Sequence, residues 1–235
     1  MSAQVVFSPM SWLTGGTVKT VFRDACRRYE LVYFGTVSQY HDDHEMVRGV
    51  TLSPSHTDQH YCVGSVQNRD VILLYRTDKL SFPSKPTKVF RWYILQVDLS
   101  GVNLPHVLLD AHHRDETFYA QLFAKFARLT KAHQGVFEGH DPKFSQRYTA
   151  YTPPDAIDLL PRLLPLATTE VIGHSLHEFD YEFYQDRLLV YALDRPATKQ
   201  LIDHMIKAGL WLAAELEKNA QVAGAVATPS DSQIV

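Results

Sequence analysis

The chain has 235 residues, 45% of them hydrophobic and 21% charged, which is enough apolar material for a sizeable core and too much for a disordered polymer. A formal net charge of −3 argues against a protein that works by neutralising phosphates, so no nucleic-acid partner is expected. No window supplies the roughly 20 apolar residues of a spanning helix, and residues 1–13 show neither a basic start nor a sustained apolar run, so direct membrane insertion and a secretory leader are not expected.

Taken in chain order, Val18, Val21, Phe22 and Cys26 form one apolar stripe of a helix that ends near Arg28. Five runs rich in Val, Tyr, Ile, Phe and Thr follow, at 31–37, 46–52, 61–66, 71–77 and 89–99. Turn residues such as Asp42-Asp43, Ser53-Pro54 and Asn68-Arg69 separate them, and they read as antiparallel strands. Arg91 to Leu95 is apolar on both faces and should be central, with 107–109 extending it beyond the Pro105 break. Phe118, Leu122, Phe126 and Leu129 recur at helical spacing and predict a second helix over 116–129.

Residues 146–151 read as a further strand. Thr152 is placed to cap, and Pro153 to open, a helix that Pro161 and Pro165 must shorten or kink. Phe179, Tyr181 and Phe183 alternate with Glu178, Asp180 and Glu182, the pattern of a half-buried strand with its carboxylates outward. Gln185-Asp186 turns the chain into 187–193, and Pro196 opens a last helix with Leu201, Met205, Leu212 and Leu216 on one face. From about Asn219 to 235 the small and polar composition predicts a disordered tail.

Together these elements predict an α+β protein on a mainly antiparallel β-sheet, with an N-terminal helix and a C-terminal strand-helix-hairpin-helix unit. One compact body is expected, with a β-rich half over 1–134, a second half over 135–218 and a seam near Gly135.

The two cysteines, Cys26 and Cys62, fall in different predicted elements and make no CxxC pair. On that spacing neither a disulfide framework nor a zinc knuckle is expected, and the setting reads as reducing and cytoplasmic. Twelve histidines raise the question of a metal. His41, His44, Asp110 and His112 lie in two loops that, if they met, could hold a divalent ion and activate water for hydrolysis. No HExxH or comparable spacing occurs, so solvated turns are the plainer reading and no cofactor is expected. Glu178, Asp180 and Glu182 form a row that could meet a basic partner or calcium; a solvent face relieved by Arg187 is the plainer reading. Cys62 stands two residues from His60 on a predicted strand, where a buried structural cysteine outweighs an activated thiolate. No GxSxG elbow and no P-loop is present.

Val136-Phe137-Glu138-Gly139, Phe144, Tyr148 and Tyr151, a Pro-led helix, then Phe179-Asp180-Tyr181-Glu182 and Leu188 to Tyr191 carry a pattern of their own. It resembles a bacterial protein family with the pattern LEG.F...F..Y.P, a helix, and FD.EF.DD.L..Y. That family has no established activity, ligand or catalytic residue, so the resemblance implies a fold and no site, and a cytosolic location is the simpler implication. For function the absence of catalytic patterns favours a non-catalytic binding or scaffold module that contacts a protein partner or itself. The alternatives are the metal-dependent hydrolase above and a small-ligand sensor with a pocket between the two halves.

Overall fold

The computed structural model describes residues 17–36, 47, 49–50, 56–82, 85–111, 122, 124 and 126–224. Its elements run α1 (Val18–Arg28), β1 (Val32–Thr36), β2 (Thr57–Val66), β3 (Arg69–Phe82), β4 (Lys85–Asp98), β5 (Leu104–Asp110), β6 (Thr130–Lys131), α2 (Pro142–Arg147), β7 (Thr149–Thr152), α3 (Leu160–Leu163), α4 (Leu166–Ser175), β8 (Asp180–Gln185), β9 (Arg187–Leu193) and α5 (Lys199–Ala223). Among the described residues, nine strands form one antiparallel sheet in the order β1-β2-β3-β4-β9-β8-β5-β7-β6. The α+β class read from the sequence is the class observed.

Each element has a local cause. Thr17 caps α1 through its hydroxyl, which accepts from the Thr20 amide, and Val21, Phe22, Ala25 and Cys26 bury one face of the helix. The tight β2–β3 turn is made at Gln67 and Asn68, both with positive φ, so Val66 pairs with Arg69. In β4, Trp92, Tyr93, Ile94 and Leu95 are all buried, because the strand has neighbours on both edges and packing on both faces. Thr198 caps α5 by accepting from the Leu201 amide, and Gly224 closes the helix in the left-handed conformation. Gly209 lets α5 lie close on the sheet, since a Cβ there would come within 2.8 Å of Leu95.

The sheet thus has a helix-covered face and a second face. The first packs Leu73, Leu95, Val97, Val190 and Phe183 against α1 and α5. The second packs Leu74, Trp92, Ile94, Leu108, Leu189 and Tyr191 under Val47, Val50, Leu122 and Leu129. β5 lies before Gly135 in sequence and yet sits between β8 and β7, so the sheet runs unbroken across the expected seam.

Several readings need correction. Val47, Gly49 and Val50, within the expected strand 46–52, are bends laid across the second face. The expected 107–109 extension is a separate strand, β5, paired with β7 and β8. Of the expected strand 146–151, residues 149–151 lie in β7, whereas 146 and 147 end helix α2, which starts because Asp141 accepts from the Lys143 amide and Pro142 suits a first helical position. Thr152 does not cap; its hydroxyl donates to the His106 carbonyl, and a 3₁₀ turn, α3 and α4 follow in place of one helix, the break falling at the two prolines as expected. α5 continues past Asn219, whose amide donates to Leu163 O and Thr168 Oγ1, so the predicted tail begins too early. Of the predicted helix 116–129, Leu122 and Ala124 are helical, and much of the rest lies outside the described residues.

The cysteines require the largest correction. Cys26 on α1 and Cys62 on β2 form a disulfide, with sulfurs 2.06 Å apart and Cα atoms 5.9 Å apart. Packing α1 on β2 brings together two residues 36 apart in sequence, a proximity their spacing does not reveal. The cysteine argument for a reducing compartment therefore falls. No helix among the described residues is long and apolar enough to cross a membrane.

Candidate functional site

The second face of the sheet carries a buried polar network centred on Glu182 of β8, which is fully buried. His106 Nε2 donates to Glu182 Oε1 at 2.7 Å. The Tyr191 hydroxyl donates to Oε2, and the Val50 amide donates to the same oxygen at 3.0 Å. Three converging donors satisfy a carboxylate that has no water to turn to. Burial, then the charge of Glu182, raises the Tyr191 pKa well above its usual value, so the phenol remains a donor. Gly49 is required for this closure: a Cβ would lie 2.0 Å from the Tyr191 hydroxyl.

Three strands away, on β3, Arg76 makes a two-pronged ion pair with Asp58 at 2.6 Å for each contact, and both side chains are buried. The Tyr61 hydroxyl also donates to Asp58, and Arg76 reaches the Val47 carbonyl at 3.1 Å. The two networks hold Val47 and Val50 against the sheet, one through the Val47 carbonyl and the other through the Val50 amide.

His106 owes its orientation to a bulge. Leu104 pairs with Gln185 and Val107 with Phe183, so β5 spends one residue more than β8 over this interval. The extra residue falls at Pro105-His106, where proline has no amide to lose from the ladder. The His106 ring lies edge-on to Phe126, with centroids 5.0 Å apart, and tilted against Tyr184 at 5.3 Å. Its carbonyl accepts from Thr152, and Thr130 donates to the Thr152 carbonyl, which ties β5, β7 and β6 together behind the ring.

His106 also lines a cavity of about 690 Å³. Pro105, Phe126, Leu129, Pro153, Ala156 and Leu159 supply a mainly apolar lining, and Arg128 and Asp155 are its exposed charged members. Residues from both sides of Gly135 meet here. The volume lies within the range of about 300–1,000 Å³ typical of small-molecule sites.

His41, His44 and His112 lie outside the described residues, and Asp110 is buried at the end of β5. Among the described residues no group of three or more His, Cys, Asp or Glu side chains is arranged to hold a metal ion. The acidic row is not a solvent face. Asp180 and Glu182 are buried, because the second face of the sheet is covered, whereas Glu178, which precedes β8, is exposed. Asp180 Oδ1 accepts from the Ala111 amide at 2.8 Å, and Glu178 and Asp180 line another cavity, of about 470 Å³, with His177, Asp194 and Arg195. Glu182 belongs instead to the His106 network. Sequence reading missed His106 and Tyr191; the one available signal for His106 was a proline beside it inside a strand.

These features define, among the described residues, an α+β protein with a single antiparallel sheet, helices on one face and a largely apolar cavity at the edge of the other. No family model matches the chain and no curated protein matches it, so the family resemblance drawn from its motifs has no such support. The chain is similar in structure to the mycobacterial trehalose monomycolate transport factor A, TtfA, in its crystal structure, with a TM-score of 0.54 and 13% sequence identity. The similarity covers 90% of this chain and 98% of that one. At this identity the likeness is one of fold.

Proposed function

We propose that this chain is a non-catalytic binding module that seats the apolar part of a small ligand in the cavity beside His106. One observation carries the reading: the cavity is of ligand size, largely apolar, and walled on one side by an imidazole whose orientation is fixed by a buried carboxylate. Rigid walls favour binding, because little side-chain freedom is lost when the ligand enters. The fold neighbour is described as a transport factor, a role consistent with holding a ligand without transforming it. A second reading, contact with a protein partner, is supported by Val32 and Phe34 on edge strand β1, 57% and 58% exposed.

The test is a fluorescence titration with the neutral apolar probe 1-N-phenylnaphthylamine on wild type and on Ala156→Phe, which places a ring where Ala156 lines the cavity. Saturable binding by wild type and its loss in a variant that still melts cooperatively supports the proposal. Equal binding by both proteins, or none by wild type, rejects it.

A further inference from the structure

A further cavity, of about 300 Å³, lies where the edge strand β6 and its neighbour β7 meet α2. It shares no lining residue with the cavity beside His106. One wall is aromatic. Phe137 meets Phe144 edge to face, with centroids 5.0 Å apart, and Phe144 stacks on Tyr148 at 5.4 Å. The Tyr148 hydroxyl donates to the carbonyls of Leu176 and Phe179, which fixes the ring and leaves its polar atom committed elsewhere. Arg147 donates to the Gly173 carbonyl and anchors α2 on α4 behind that wall.

The remaining lining is of opposite character. Ala132 is buried and its amide donates to the Ala150 carbonyl, while Lys131 and His133 on either side of it are exposed, as is Ser145 on α2. Among the described residues, the side chains of Lys131, His133 and Ser145 have no hydrogen-bond or ion-pair partner, and no carboxylate lines the cavity. Lysine only donates, and a neutral imidazole or hydroxyl still carries one donor. An inorganic anion would leave the rings unused, and a neutral arene would leave the donors unanswered. An aromatic carboxylate uses both.

We propose that this cavity binds a small planar aromatic carboxylate, its ring against Phe137, Phe144 and Tyr148 and its carboxylate toward Lys131 and His133. A volume at the low end of small-molecule sites suits one or two fused rings. Calorimetric titration of the full chain with 2-naphthoate, and with 2-naphthylmethanol as its uncharged match, tests this. Wild type should bind 2-naphthoate at one site, more tightly than the alcohol and less tightly as salt rises. Lys131→Gln should weaken 2-naphthoate about fivefold and leave the alcohol unchanged, as an exposed cation partner contributes. Ser145→Trp, which sets an indole at the cavity from an exposed position, should abolish binding of both at an unchanged melting temperature; if it melts lower, Lys131→Gln decides alone. No binding by wild type, equal affinity for acid and alcohol, a Lys131→Gln protein that binds like wild type, or displacement of 2-naphthoate by inorganic phosphate at equal concentration each overturns the proposal. Displacement by 1-N-phenylnaphthylamine overturns it too, since it would place the acid beside His106.

Discussion

Opening the Cys26–Cys62 disulfide perturbs the fold without removing a heavy atom, so its effect can be worked from chain entropy. The bond joins residues 36 apart. Releasing a loop of that size returns conformational freedom to the unfolded chain worth about 4 kcal/mol at 25 °C in the loop-closure model. Both cysteines are buried between α1 and β2, so the native packing changes little when the sulfurs carry protons. With a urea dependence of about 3 kcal/mol per molar for a chain of this size, reduction should lower the unfolding midpoint by slightly more than about 1 M. Urea melts of the protein with and without dithiothreitol, and of Cys26→Ala/Cys62→Ala, measure this directly. Two titratable thiols in the unreduced, denatured protein would refute the reasoning, as would a midpoint unmoved by reduction.

Three further outcomes follow from the same geometry. Gly49→Ala forces a methyl group against the Tyr191 hydroxyl and parts the Val50 amide from Glu182, which should cost about 2–4 kcal/mol in denaturant melts. Burial, with Lys19 and Arg23 adding to it, lowers the His60 pKa below the ordinary 6.5, and burial lowers that of His140. The unfolded chain therefore binds protons first, so stability should be full above pH 6.5 and decline as pH falls through 6.5 toward the folded values; His60→Asn, which tolerates the positive φ of this position, should flatten that decline in pH-dependent melts. Because no metal is required by the proposed function, a chelator should leave the melting temperature unchanged, and a fall on chelation with metal found by elemental analysis would revive the His41, His44, Asp110 and His112 site.

What was legible in the sequence followed periodicity. The α1 stripe, the two-sided apolar run at Trp92 to Leu95 and the α5 face each announced an element, because each side chain's burial is set by a neighbour at fixed spacing. Long-range partners were illegible. Alternation at 178–183 was read as one wet face, since nothing local says that Val47, Val50, Leu122 and Leu129 arrive from elsewhere to cover it. The disulfide failed for the same reason, two elements meeting across 36 residues. Helix α2 could have been found, because Asp141-Pro142 is a start signal that the aromatic run at 144–151 obscured. Pro105 was read as a break, when in fact it marks the bulge that turns His106 toward Glu182.

Hydrogen exchange with and without saturating 1-N-phenylnaphthylamine tests the site most directly. Added protection confined to residues 104–108, 126–131 and 153–160 is the expected result; protection elsewhere, or none while the probe is bound, would contradict a ligand seated beside His106.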